Sequence, residues 1–89
     1  MKAFITVMGK DRVGIIAGVA GCLAECQVNI LDINQTILQG TFTMIMAVEN
    51  ASGILSCEEL QAKLTEKGNE LGVEIQIRHE DIFNAMHNI

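Results

Sequence analysis

Three cysteines and two histidines are the residues of this 89-residue chain best suited to covalent or metal chemistry, and their spacing favours neither. Cys22 and Cys26 stand one helical turn apart with no histidine near them in sequence, so neither has a base to take its proton. They read as small, core-filling thiols. Cys57 leaves the cysteine count odd and speaks against a disulfide framework. His79 and His87 lie eight apart in HEDIFNAMH, not at the spacing of HExxH, and read as solvated or hydrogen-bonding imidazoles. The expectation is no catalytic residue, no metal site and no cofactor.

The segment GKDRVG, Gly9 to Gly14, is more suggestive. A glycine-rich turn ahead of a helix exposes backbone N–H groups to anions. The nucleotide-binding P-loop pattern fails, because Gly14 is followed by Ile15 and not by Lys and Ser or Thr. What survives is a helix N-terminus flanked by Asp11 and Arg12, suited to a carboxylate or an amine. The plainer alternative makes Asp11 the helix N-cap and leaves Arg12 in solvent. Asn29 has the same two readings: a ligand contact at the start of a strand, or a residue satisfying backbone groups in the turn Gln27 to Asn29.

These residues need elements to hold them. Lys2 to Met8 is β-rich, with Ala3, Ile5 and Val7 on one face and Lys2, Phe4, Thr6 and Met8 on the other, an opening strand expected to be largely buried on both sides. Val13, Ile16, Val19, Ala20 and Leu23 recur at helical spacing and predict a helix from about Arg12 to Cys26. The other side of that helix, Gly14, Ala17, Gly18, Gly21 and Cys22, is almost bare of side chains, and each interior glycine costs about 1 kcal/mol against alanine. Such a face implies a close neighbour.

From Val28 a second strand runs to Leu38 with a phase slip near Ile30 and Leu31 that a bulge explains. Gln39 and Gly40 turn it into a third strand carrying Phe42, Met44, Met46 and Val48 on one face. After a loop over Asn50 to Gly53, Ser56 and Glu59 form a capping box for a second helix with the stripe Cys57, Leu60, Leu64 and Leu71, closed by Gly72. Val73 to Arg78 alternates as a fourth strand, with Val73, Ile75 and Ile77 inward. Ile82, Phe83, Met86 and Ile89 share one face of a short terminal helix. The order β-α-β-β-α-β predicts an α+β fold, a ferredoxin-like plait: a four-stranded antiparallel sheet with both helices on one face, plus the short C-terminal helix. The heavy-metal version of this plait carries CxxC in its first loop, where this chain has GKDRVG.

Composition narrows the function classes. Six Lys and Arg stand against eleven Asp and Glu, a net charge of −5, the wrong sign for phosphate-backbone binding. Aromatics are 3% of residues, all Phe, which leaves no platform for stacking nucleic-acid bases. No apolar run reaches the roughly 18 residues of a membrane span, no signal peptide opens the chain, and without proline there is no interdomain linker. The expectation is one domain over residues 1–89, reduced and cytoplasmic, binding neither nucleic acid nor membrane.

The stretch ITVMGKDRVGIIAGVAGCLAECQVNILDI resembles the amino-terminal half of ACT domains, small-molecule-sensing modules whose pattern runs strand, D-R-P-G-I, helix, then N-I. The ending VEIQIRHEDIFNAMHNI looks like a group of stand-alone ACT proteins closing on I-F-x-A-M-H-x-I. The chain is also similar, less closely, to the ACT modules of the glycine-cleavage-system transcriptional repressor. The resemblance implies a homodimer that pairs second strands into one eight-stranded sheet and binds an amino acid where the first loop meets the partner's second strand. Carried onto this sequence, the ligand-binding residues are Gly9, Asp11, Gly14 and Ile15 from the loop, and Asn29 and Ile30 from the strand. Val13 departs from the family's proline, which removes a rigid residue at the helix start and keeps Gly14.

In such a dimer the bare face at Gly14, Ala17, Gly18 and Gly21 meets its copy across the seam, or else it packs under the terminal helix of the same chain. Two other functions compete with a metabolite sensor. One is a ligand-free dimerisation scaffold acting through a partner protein, with Arg78 and the Glu-rich second helix as its surface. The other is an acylphosphatase, which shares the plait and uses an Arg in the first loop with an Asn on the second strand, as Arg12 and Asn29 superficially do. There Asp11 stands where an acyl phosphate has to sit, and like charges repel.

Overall fold

A computed structural model describes residues 2–50 and 55–79. The expected terminal helix carrying Ile82, Phe83, Met86 and Ile89, and His87 with it, lies outside the described residues, as do Ala51 to Gly53. The elements run β1 (Lys2–Lys10), α1 (Ile15–Glu25), β2 (Asn29–Leu38), β3 (Thr41–Glu49), α2 (Cys57–Leu71) and β4 (Val73–His79). The sheet order is β2-β3-β1-β4, with every neighbouring pair antiparallel. This is the expected plait.

Local chemistry accounts for each turn. Gln39 and Gly40 both have positive φ, 52° and 79°, which is the type I′ geometry whose twist matches the flanking strands. The register between β2 and β3 slips between Ile30 and Asp32, so the extra residue is Leu31 and the expected bulge is present. The Ser56 hydroxyl accepts from the Glu59 amide while Glu59 accepts from the Ser56 amide, a reciprocal capping box. Gly72 closes α2 at φ 75°. At the other helix, Gln27 takes the left-handed position at φ 58°, and the amides of Gln27 and Val28 return to Ala24 O and Leu23 O in a Schellman closure without glycine.

The core lies between the sheet and the two helices. Ala3, Ile5 and Val7 of β1 and Phe42, Met44, Met46 and Val48 of β3 are buried under Ile15, Val19, Cys22 and Leu23 of α1, its C-cap Cys26, and Leu60 and Leu64 of α2. Two expectations need correction. The outer face of β1 is only half-covered, with Met8 53% exposed, because both helices sit on the other face. The buried stripe of α1 agrees with the expected one at Val19 and Leu23 and differs at its start: Ile15, not Ile16, points inward, and Val13 precedes the helix in full exposure. Adjacent isoleucines fit either phase, and the side that buries is the one that also buries the two cysteines.

The bare side of α1 is used in part. A Cβ on Gly18 would meet Leu71 Cδ1 at 2.9 Å, so this glycine lets α1 rest on the end of α2, whereas Gly21 has nothing within 4 Å. Gly68 of α2 is tighter still, since a Cβ there would meet the Val73 carbonyl oxygen at 2.6 Å. Gly68 and Gly21 therefore predict opposite effects in urea unfolding. Gly68→Ala should destabilise the fold by about 1–3 kcal/mol through overpacking against backbone. Gly21→Ala should stabilise it by up to about 1 kcal/mol through helix propensity alone. Equal signs for the two would contradict this packing.

Candidate functional site

Strand pairing carries the first loop to one end of the sheet. β1 extends two residues further than expected, to Lys10, so Gly9 is a strand residue paired to Phe42 and Val73 and not part of the loop. It is still required to be small, because a Cβ would lie 2.9 Å from Val73 Cγ1 and 3.0 Å from Val73 Cα. The Asp11 amide then donates to Gly40 O at 2.8 Å, which ties the loop to the tip of the β2–β3 hairpin.

Asp11 is not the helix cap. Gly14 holds that position at φ 91° and brings no side chain to it, while Asp11 is an exposed residue three positions earlier. The left-handed backbone at Gly14 turns the chain directly into α1, leaving Asp11 to Val13 outside the helix. The first-turn amides of α1 therefore have no side-chain acceptor, and no acidic residue stands in that turn. This N-terminus keeps its partial positive charge free.

Arg12 is not simply solvated either. Its Nη1 donates to Leu71 O at 3.1 Å, a cation on an end carbonyl of α2, where it also complements the helix dipole. The sequence carried no local signal for this bond, since its partners are 59 positions apart. Asp11, Arg12, Gly14 and Ile15 border a cavity of 230 Å³ whose far wall is Gln35 and Ile37 of β2. Those two β2 residues were absent from the sequence expectation.

Asn29 and Ile30 are elsewhere. Asn29 pairs with Glu49, which pairs with Lys2, whereas the loop follows Lys10 at the opposite end. At about 3.3 Å per residue the length of β2 separates them by roughly 25 Å. The structure thus brings together Asp11, Gly14 and Ile15, places Gly9 just behind them, and does not join Asn29 and Ile30 to them within one chain.

The cysteines behave as packing residues. Cys22 and Cys26 are buried in the core, and burial, followed by the neighbouring Cys26 thiol, pushes the Cys22 thiol above its ordinary 9.0. A raised thiol is a poor nucleophile at neutral pH. No group of three or more His, Cys, Asp or Glu able to hold a metal occurs among the described residues, and none of their helices is long and apolar enough to cross a membrane.

A family model described as "ACT domain" matches residues 2–78. A UPF0237 protein of Clostridium acetobutylicum is 54% identical over 100% of both chains. Among solved structures, an ACT domain protein from Streptococcus pneumoniae superposes with a TM-score of 0.84 at 43% identity, covering 93% of each chain. The regulatory subunit of aspartate kinase from Thermus thermophilus gives 0.67 at 26% identity, over 86% of this chain and 50% of its own. A putative glycine cleavage system transcriptional repressor shares the fold, with a TM-score of 0.73 at 23% identity over 86% of this chain and 44% of its own.

The thiol geometry makes a prediction with a definite sign. The folded state holds Cys22 neutral, so its contribution to stability is complete below the unfolded-state pKa near 9.0 and is lost as pH rises from there through the raised folded-state value. Alkylation of Cys22 at neutral pH, followed by mass spectrometry, should be slow until urea unfolds the chain. The urea midpoint should fall as pH climbs past 9.0. Rapid labelling of Cys22 in the folded protein would contradict its burial.

Proposed function

The chain belongs to the ACT domain family, and from that premise we propose that it is a non-enzymatic regulatory module, one domain over residues 1–89, working as a cytoplasmic homodimer that binds an amino acid at the seam between two chains. The observation that carries this reading is the 230 Å³ cavity at the uncapped start of α1, with Arg12 and Asp11 on its rim. It is smaller than the roughly 300–1,000 Å³ of drug-sized ligand sites, a size suited to an amino acid or to a site that a second chain completes.

The free edge of β2 supports the second chain. Residues 31–40 are exposed throughout, and Leu31, Ile33, Ile37 and Leu38 are large apolar side chains 41–70% open to solvent. An uncovered edge strand with an apolar flank is a template for strand pairing. Two copies of β2 running antiparallel bring the partner's Asn29 and the partner's Ile30 from the far end of their strand toward this chain's loop, a juxtaposition that one chain does not achieve.

Roles follow from charge. The α1 amides at Ile15 and beyond, opened by Gly14, take the ligand carboxylate, and the Asp11 carboxylate and the partner's Asn29 take its ammonium. Gly9 holds the end of β1 close against β4 and so fixes where the loop begins. A ligand bridging two chains stabilises the assembled form by mass action, and a partner protein reads that state. One structural neighbour is itself a regulatory subunit, of aspartate kinase.

Thermal unfolding against the twenty amino acids tests the proposal. A ligand at a hundredfold excess over its Kd adds about 2.7 kcal/mol, several degrees in a domain of this size. Asp11→Ala should leave the ligand-free Tm unchanged, because Asp11 makes no capping bond and its amide still reaches Gly40 O. It should abolish the ligand shift, and Asn29→Ala should do the same. A flat panel would replace the sensor by a ligand-free scaffold acting through a partner protein.

A further inference from the structure

A four-stranded sheet has two edges, and in this chain they are treated differently. At one edge, β2 closes its hairpin with the Leu38–Thr41 pair. Counting back in twos, Ile33, Gln35 and Ile37 turn their backbone groups away from β3. The Ile33 amide is taken by its neighbour Asp32 Oδ1 at 2.9 Å, and those of Gln35 and Ile37 face outward.

At the other edge, β4 pairs with β1, and α2 packs close enough to β4 for Gln61 and Gly68 to reach its outward backbone. Gln61 reaches over with both ends of its carboxamide. Nε2 donates to Ile75 O at 2.9 Å, and the Ile77 amide donates to Oε1 at 2.8 Å. The second Nε2 hydrogen goes to Thr65 Oγ1 at 3.0 Å, so the carboxamide is held in this orientation. One residue that accepts from position i+1 and donates to position i−1 of a strand makes the bonding pattern of a parallel neighbour. Gln61 thus stands in for a fifth-strand residue opposite Gln76. Seven positions on, on the same side of α2, Gly68 presses its backbone against the Val73 carbonyl oxygen. Of the six backbone groups that Val73, Ile75 and Ile77 turn outward from β4, these contacts cover Val73 O, Ile75 O and Ile77 N.

We propose that Gln61, with Gly68, closes the β4 edge against a second copy of this chain, so that strand addition between copies is confined to β2. The consequence is geometric. β2 pairing with β2 is the same patch on both copies and closes at two, whereas β2 pairing with β4 is head-to-tail and has no end. The proposal rests on the preceding one in taking β2 as the edge where copies meet, and the experiment separates the two.

The variant is Gln61→Met, which keeps the side chain's length and removes both amide functions. Sedimentation velocity of the full chain over a wide concentration range should give wild-type species no larger than two chains. Gln61→Met, folded by circular dichroism, should add species of three or more chains that grow with concentration. Adding Gln35→Pro, which deletes an outward amide of β2, should remove them. A folded Gln61→Met with the wild-type distribution overturns the proposal, as does wild-type protein that itself assembles beyond two. A monomeric wild type beside a polymerising Gln61→Met would sink the homodimer and leave the closed edge standing. Should the variant not fold, amide exchange in the wild type decides: slowing of the Ile77 amide by about 100-fold or more relative to an unstructured chain supports the bond to Gln61, and a smaller slowing overturns it.

Discussion

Two helices have to cover one face of four strands, and α2 sits far enough toward β4 for Gln61 and Gly68 to reach the backbone at the sheet's edge. Everything distinctive about the molecule follows from that displacement. Helices are about 10 Å across and strands about 4.8 Å apart, so a pair of helices biased to one side leaves the opposite strand uncovered. That strand is β2, exposed along residues 31–40. The gap between α1 and β2 is the cavity at the first loop, and the polar side of α2 becomes the seal on β4. Exposure at one edge and closure at the other are one packing decision.

Turn chemistry made much of this fold legible in advance. Gln39-Gly40, Ser56 with Glu59, Gly72 and the slip at Leu31 each demand a local geometry that few other residues satisfy, and each is where the residues placed it. The start of α1 was not legible in the same way. Asp11 is a good cap by type, but the hairpin tip holds its amide through Gly40 O, and Gly14 supplies the turn without a side chain. The stripe of α1 was legible at Val19 and Leu23 but not at Ile15, for a related reason: a helix apolar on nearly every side has no unique moment, and only tertiary contact chooses which stripe to bury.

The least legible residues were those acting across the fold. Arg12 reaches Leu71 O over 59 positions, and Gln61 reaches Ile75 O and the Ile77 amide over 14 and 16. Both look like ordinary surface side chains in sequence, because their partners are backbone atoms, which leave no residue type to recognise. The candidate ligand residues show the same limit. Asp11, Gly14 and Ile15 are neighbours in both sequence and space, whereas Asn29 and Ile30 are joined to them only through the family resemblance and a second chain.

The strand order also governs how the chain is made. β1 is synthesised before both of its sheet neighbours, β3 and β4, and the latter begins only at Val73. Its two rows of backbone hydrogen bonds must wait for segments synthesised far later, so little of the sheet can be locked in during elongation. Until then the apolar run of β1 is an unpaired strand in a nascent chain, a state vulnerable to association with other unfolded chains. For this topology, the sheet cannot close until Val73–His79 has been synthesised.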